Sequence, residues 1–392
     1  MKMPAAKDRI IIIGGGIQGC ATAYFLASRG QNVTLLEKDH IARHASGVNA
    51  GGVRRLGRDP VEIPLSLAAM DIWQSLQDHI GDHVDAFHRC FYLKVALDEA
   101  GQALGVDRIA ALQKVGFQHE VWLEDAEIRH RLPHLSCPTY GGILVEGDGW
   151  AVPWRIVQGF ASAAVRHGAR LVEDCRVVSL EQDGGGWQVR TTKGLFEAAQ
   201  VVNCAGAWAA GLANLAGEPA FPLSPYAPML AVTDRRPGIL PAVMGVLGHT
   251  LSLKQLHTGQ FVIGGGVRAP ADLETGRGEV EIPALAASMH LAATLFADIA
   301  SAPIIRCWSG IEGYMPDNLP VIGRGAQPGL VHGFGFSAHG FQLGPAVGEA
   351  LADLVMGQQP RISLTPFSPN RFATAPDQAY YFVLADKLSR SL

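Results

Sequence analysis

The sequence predicts an α/β protein, with a discontinuous Rossmann-type dinucleotide-binding domain and a second, mixed α+β domain. Three observations predict it. An apolar run, Ile10 to Ile13, leads into Gly14, Gly16 and Gly19 in the spacing G-x-G-x-x-G, then an Ala-rich helical segment, Cys20 to Arg29, and a second strand, Val33 to Leu36, closed by Glu37. Segments of the same character return at Gln200–Trp208 and at Asp317–Gly357. Two inserts of different texture separate these segments, which predicts two interleaved domains with the active site between them.

The first unit has a physical reason for each part. Ile10 to Ile13 suits a strand buried on both faces. The first glycine allows a tight turn, the second lets backbone approach a pyrophosphate, and the third lets helix and strand pack closely. Exposed N–H groups at the helix start, with Ile17 and Gln18 among them, then hold phosphate. Gly30 stops the helix, and Glu37 at the strand end can accept from both ribose hydroxyls, which disfavours a 2′-phosphate. The unit therefore predicts an adenine dinucleotide; the alternative is a glycine-rich turn in an ordinary βαβ unit.

The remaining elements follow in order. Lys38 to Pro60 is a long loop rich in small residues, and its place beside the dinucleotide unit favours a functional role. Leu65 to Ile80 reads as an amphipathic helix, Cys90 to Leu97 as a strand, Asp107 to Lys114 as a helix and Gly141 to Gly147 as a strand. Pro153 marks a helix start, with Arg155 to His167 helical and Gly168 beyond its end. Arg170 to Leu180 contains a strand, Trp187–Thr192 and Leu195–Ala198 form a hairpin, and Gln200 to Cys204 is a strand running into the small-residue turn at Ala205, Gly206 and Trp208. Phe221 to Trp308 reads as mixed sheet with one helix near Leu285–Ile299, and FVIGGG, Phe261 to Gly266, as a strand followed by a turn. Short strands at Pro320–Ile322 and Leu330–Gly333 precede a helix from Gly344 to Met356.

Composition bounds the function. At 392 residues, 48% hydrophobic and 17% charged, the chain has material for two domains sharing a cleft. A net charge of −4 gives no basic field, which argues against nucleic acid as a partner. No apolar run approaches the ~20 residues needed to span a bilayer. The start, MKMPAAKDRIIII, has too short an apolar stretch for a secretory signal. The six cysteines are scattered without a C-x-x-C pair, which fits a reducing cytoplasm and buried thiols. No metal site is expected, and His40 and His44 read as surface residues.

GGGIQG with Glu37, NCAGAWA (Asn203 to Ala209), PDNLPVIG (Pro316 to Gly323) and GFSAHGFQLGPAVG (Gly335 to Gly348) occur in this order. This set resembles the D-amino acid oxidase superfamily of flavoproteins, its sarcosine oxidase and glycine oxidase branch in particular, over nearly the whole chain. It is similar above all to the flavin-bearing β subunits of heteromeric oxidoreductases acting on sarcosine, proline, hydroxyproline or opines. The resemblance implies a discontinuous FAD-binding domain (1–84, 150–215 and 317–372), a substrate domain dominated by an antiparallel sheet (85–149 and 216–316) and a C-terminal extension (373–392) whose stripe at Ala379–Leu388 packs on the body or a partner. It implies noncovalent FAD, with Gly14, Gly16 and Gly19 on the pyrophosphate and Glu37 on the ribose. Lys38 and Ser46 would lie near ribose or phosphates, Val177 at the adenine, and Ala205, Gly206 and Trp208 along the cofactor path. Ala50 and Gly51 of the early loop would face the cofactor. Asp317 and Gly340, Phe341 and Gln342 would approach the ribityl chain and flavin ring, where N–H groups at a helix start stabilise negative charge. Arg54 would be a cation on the substrate side, with Arg55 and Arg58 as surface charges, and His339 would position flavin or substrate.

The sequence also departs from the pattern. Gln342 stands where the branch has a carboxylate-binding lysine, and Gly57 where it has an arginine. Gly310 falls where some relatives attach flavin through a cysteine, with Cys307 out of register. Glu312 and Gly313 replace an Arg-Pro, leaving an acid able to meet an amine. The activity implied is oxidation of the C–N bond of a secondary amine or amino acid (sarcosine, proline, hydroxyproline or opine type) by hydride transfer to flavin N5, giving an imine that hydrolyses. Oxidase and dehydrogenase both remain open, the latter passing electrons to a partner subunit or another acceptor; Lys254 is unplaced. Alternatives are a 2-hydroxy acid or glycerol-phosphate dehydrogenase of the same fold, a non-catalytic FAD-binding subunit, or an NAD(P) dehydrogenase.

Overall fold

The computed structural model describes residues 9–81 and 87–372, so the stripe at Ala379–Leu388 lies outside the described residues. Strand β1 (Arg9–Ile13), helix α1 (Ile17–Ser28) and strand β2 (Asn32–Leu36) form the first unit. β1 is central in a six-stranded sheet ordered Val321–Arg324, Leu330–Phe334, Gln200–Asn203, β1, β2, Arg170–Val172. All neighbours are parallel except the pair Val321–Arg324 and Leu330–Phe334. The carboxyl ends of β1 and Gln200–Asn203 thus lie side by side, with Ile13 opposite Asn203, and open the crevice where such sheets bind ligands.

The second body is an eleven-stranded sheet. Its strands Ser224–Arg235, Gln260–Asp272, Ser252–Gln255 and Val243–Val246 run antiparallel to their neighbours in that group, as do Phe87–Val95 and Gly142–Ala151. A parallel contact between Val243–Val246 and Phe87–Val95 joins the two groups. Gly52–Val53, from the early loop, pairs with Gly142–Ala151 and ties that loop to the second sheet. Two fully or nearly buried acids pin the same loop: Asp148 accepts the Arg55 and Leu56 N–H groups and pairs with Arg55 Nε at 2.7 Å. Glu120 accepts the Gly57 N–H at 2.8 Å and takes the Arg108 guanidinium through both oxygens.

α1 packs against the helix Gly340–Val355 through glycines. A Cβ on Gly344 would stand 2.7 Å from Ile17 Cγ2, and one on Gly348 2.5 Å from Ala21 Cβ, so only hydrogen lets the helices approach this closely. Pro153–Arg166 and Ile63–Gln74 complete that layer, with buried Phe160 packed on Tyr24 of α1 and buried Trp73 on Phe341 of the last helix.

Several elements differ from the sequence reading. The last helix begins at Gly340 and carries Pro345 inside it, because His339 and the turn before it set the start. The strand through FVIGGG continues to Asp272, passing Gly264, Gly265 and Gly266 at positive φ, so these glycines bend a strand and do not end it. The helix read from Leu65 to Ile80 is two helices meeting at Ser75. Asp174, at φ 49, separates two strands within Arg170–Leu180.

Candidate cofactor and substrate site

The glycine turn is made by backbone contacts that exclude side chains. Gly14 has φ 115, and a Cβ there would lie 2.2 Å from Cys204 O; one on Gly19 would lie 1.9 Å from Gly14 O. Gly16 caps α1, facing Ser46, whose Oγ accepts the Ile17 N–H at 3.0 Å. The Ile17 side chain is core, while Gln18 Nε2 donates to Gly340 O at 2.8 Å, joining the glycine turn to the last helix.

Beside this turn lies a cavity of about 390 Å³. Its lining includes Gly14, Gly16, Gln18 and Ser46 from the turn and early loop, Glu37 and Lys38 from the end of β2, and Val177, Ala205, Gly206 and Trp208. Glu37 is buried and accepts the Gly15 N–H at 2.6 Å and the Asp39 N–H at 2.8 Å. Burial pushes its carboxyl up, against those two donors. Lys38 lies over the Trp208 ring, 4.1 Å from its centroid, and bonds Asp39 and His44. Burial alone raises Asp39, but the bonds from Lys38 and His44 win and bring it down to about 2. His44 stacks on Trp208 at 4.5 Å and lines the cavity, so it is a site residue and not a surface one.

These features fit an adenine dinucleotide lacking a 2′-phosphate. The turn leaves no room for side chains where a pyrophosphate approaches, and a buried acid ends the second strand. FAD would be held here by the glycine turn, Ser46 and Glu37. Gly310 is pressed on the early loop, since a Cβ there would meet Val48 Cγ2 at 2.4 Å. Cys307 packs toward Ala227, Met229 and Ala231.

The other expected residues gather beyond this cavity, around the start of the last helix. His339 precedes the helix, and its Nδ1 bonds Glu62 Oε2 at 2.8 Å; Glu62 is fully buried. With Nδ1–H donated, Nε2 is left as acceptor. Burial pushes His339 below its ordinary value, so it is neutral at pH 7. For Glu62 burial acts upward, but His339 and Arg58 overcome it and hold the carboxyl down. Arg58, read from the sequence as a surface charge, is 2% exposed. Its Nη2 donates to Gln342 Oε1 at 3.0 Å, and burial lowers it to about 9, still protonated at pH 7. Gln342 is also bound to Ser66 Oγ and Ser66 O, so its amide is spent within the protein. Phe341 packs on Trp73. Asp317 is likewise engaged, by Arg371 Nε at 2.8 Å and by the Leu319 N–H, and so clamps the C-terminal turn.

Arg54 bonds Leu56 O, and its Nη1 lies 3.2 Å from a Cβ built on Gly57, with Lys94 Nζ at 3.5 Å from the same point. A guanidinium and an amine thus border the hollow left by Gly57. Burial, then Arg54, lowers Lys94 to about 7. Ala50 is part-buried; Gly51, at φ 74, is closed in by Ala151 O and by Lys254 Nζ, 3.1 Å from a built Cβ. Lys254 lies 4.5 Å from the Trp150 centroid, and burial pushes it down to about 7. The sequence reading missed Glu62 and Lys94, took Arg58 for a surface charge and left Lys254 unplaced. A signal existed for two of them, since Arg58 and Glu62 stand four apart just ahead of a helix.

Lys254 gives a stability prediction. Unfolded, the ammonium holds its proton to about 10.4; folded, it releases it near 7. The folded state therefore gains relative stability as pH rises from 7 to about 10.4 and loses it as pH falls back. Lys254→Met should remove that slope, raising stability at pH 7 by as much as about 4 kcal/mol with the gain vanishing near pH 10. Urea denaturation at pH 7 and 9.5 checks this; a variant less stable at both values overturns it.

Comparison with known proteins agrees with the geometry. Residues 9–354 match the family described as FAD dependent oxidoreductase. The β subunit of sarcosine oxidase from Arthrobacter sp is 26% identical over 381 residues, covering 95% of this chain and 92% of the relative. Glycine oxidase of Geobacillus kaustophilus is 26% identical over 383 residues, 92% of this chain and 96% of the relative. The crystal structure of that glycine oxidase superposes with a TM-score of 0.84, covering 92% of this chain and 98% of that one at 26% identity. L-proline dehydrogenase from P. horikoshii gives 0.85, covering 94% and 98% at 26% identity.

Proposed function

The chain belongs to the FAD dependent oxidoreductase family and is an enzyme of the amine and amino acid oxidising kind, and on that premise we propose that it oxidises the C–N bond of a secondary amine or amino acid. The observation that carries this reading is the buried Glu62–His339 pair at the start of the last helix, next to the strand ends that cradle a dinucleotide. Bound FAD, held noncovalently, supplies the two-electron acceptor. Glu62 fixes the imidazole so that Nε2 accepts an N–H from the substrate nitrogen. A neutral imidazole favours the free amine, the form that reacts, since an ammonium has no lone pair to assist loss of hydride. Arg54, with Lys94 behind it, receives a substrate carboxylate at the hollow of Gly57, in place of the arginine expected there. Backbone N–H groups from Gly340 to Leu343 stabilise negative charge at the helix start. The product imine hydrolyses in water.

The two sheets serve as cofactor and substrate halves in this reading. The likeness to sarcosine oxidase β subunits supports assembly with other subunits. No helix among the described residues is long and apolar enough to cross a membrane.

Anaerobic titration of the yellow protein with sarcosine, glycine, prolines, hydroxyprolines and opines tests the reading, with 2-hydroxy acids as controls. Bleaching by at least one amine is expected, and readmitting air then separates oxidase from dehydrogenase. Bleaching by a hydroxy acid alone, or a protein that takes up no FAD, overturns it.

A further inference from the structure

Glu312 sits on the short strand Glu312–Tyr314, opposite Tyr226 of Ser224–Arg235. It is enclosed by neighbouring chain yet keeps an accessible edge. The Tyr314 hydroxyl donates to its Oε2 at 3.1 Å, and the Ala338 N–H donates to its carboxyl from the turn just before His339. Ser337 and Ala338 in that turn have positive φ, 49° and 70°, so the backbone is held in an uncommon conformation beside the acid. The rings of Tyr226 and Tyr314 meet edge-on, 5.6 Å apart. The charged group facing this corner is Arg268, from Gln260–Asp272, which stacks 3.9 Å from the Tyr314 centroid and 5.8 Å from that of Tyr226.

We propose that Glu312 and the Tyr226–Tyr314 pair form a subsite for a second, positively charged nitrogen on the substrate, so that the enzyme prefers amino acids with a distal basic group, the chemical class of ornithine and lysine, over neutral ones. The inference rests on the amine-oxidising reading and names its substrate class. A carboxylate beside aromatic faces is a cation receptor. The exposed Arg268 guanidinium already lies on that wall, an internal stand-in showing that its faces accept a cation. The acid is only partly compensated: burial raises Glu312 to about 7, and the Tyr314 hydroxyl and Arg268 pull it down without offsetting that burial. A ligand cation supplies what is missing.

The bound nitrogen is not the reacting one. An alkylammonium ionises near 10.4, about three units above the acid, so Glu312 holds its proton in place and does not strip it. A reacting nitrogen kept protonated would stop oxidation. The pair therefore suits a nitrogen remote from the reacting carbon.

The test compares lysine with norleucine and ornithine with norvaline, in both enantiomers, as kcat/KM of the holoenzyme. The cationic member should be favoured roughly 10- to 100-fold. In Glu312→Gln that ratio should fall to within about threefold of one, and its rise through pH 7, which the wild type shows as Glu312 ionises, should disappear. The Gln amide oxygen can still accept from Ala338 and Tyr314, so the turn is kept; flavin content and melting temperature verify this. Glu312→Asp, retaining the charge, should keep part of the preference. An unchanged ratio in Glu312→Gln, or a wild type that prefers the neutral member, overturns the subsite. If no amine bleaches the flavin, the amine reading itself fails, and calorimetric binding of lysine and norleucine to the holoenzyme decides on the subsite alone. Lysine binding lost in Glu312→Gln supports it, while equal binding, or none, overturns it.

Discussion

Gly19→Val is expected to yield a colourless protein that binds FAD at least about 100-fold more weakly and melts well below the wild type. A Cβ at this position would stand 1.9 Å from the Gly14 carbonyl oxygen and 3.4 Å from Ile12 Cγ2. The first contact is with backbone, so no rotamer relieves it, and α1 must lift from β1. That movement is blocked on the far side, where Gly344 and Gly348 of the last helix press on Ile17 and Ala21. Overpacking a core costs about 1–3 kcal/mol where side chains can shift, and more is expected here because backbone must. Against a total stability of about 5–15 kcal/mol the loss is serious. Displacing α1 also moves the Ile17 N–H from Ser46 and the Gln18 amide from Gly340, both of which shape the cofactor cradle. Gly30→Ala is the control. Gly30 has φ 78 but nothing within 4 Å of a built Cβ, so that variant should lose only about 1 kcal/mol from backbone strain and stay yellow. The ratio of flavin to protein absorbance and the melting curve separate the two. Stoichiometric FAD in Gly19→Val would show that this contact does not hold the cradle.

The same contrast explains what the sequence disclosed. The β1–α1–β2 unit is contiguous, and its glycine spacing, apolar strand and closing acid each follow from local geometry, so it was readable from one window. The start of the last helix was misplaced because Pro345 normally marks a first turn. In the fold the turn at Ser337–Ala338 begins the helix five residues earlier than the proline does. Arg58 was misread for another reason. Arg54, Arg55 and Arg58 form a basic run, which by itself describes a solvated loop. Only tertiary pairing distinguishes them: Arg55 meets Asp148, and Arg58 meets Gln342 across 284 positions. No periodicity encodes a contact of that range. The strand through Gly264 to Gly266 was lost similarly, since glycine signals a turn or a bulge equally well until the partner strand is known.

Glu62→Gln should be the most damaging single change at the substrate end. The buried acid faces His339 at 2.8 Å and offsets the charge of Arg58, while Arg58 Nη1 and Glu62 Oε1 have no hydrogen-bond partner among the described residues. Neutralising the acid leaves the guanidinium in the interior without its counter-charge, a loss of about 3–5 kcal/mol by analogy with other broken buried pairs. The double variant Glu62→Leu with Arg58→Met should recover most of that stability, because apolar replacement of both partners is close to neutral. Activity should not recover with it, since His339 then has no acceptor for Nδ1–H and its Nε2 no fixed direction. Stability without activity would assign the pair to positioning the imidazole; an active double variant would deny it that role. The pH profile supplies a second test. His339 is pushed below its ordinary 6.5, and Glu62 is held below its ordinary 4.5. In both cases the unfolded chain binds the proton first, so stability present at neutral pH falls as acid is added. The His339 share begins to fall below pH 6.5, and the Glu62 share follows below about 4.5. Removing the carboxylate takes away the lower part of that slope. Urea midpoints measured from pH 7 to pH 4 should therefore fall less steeply for the double variant below pH 5, while equal slopes would show that other groups carry the acid sensitivity.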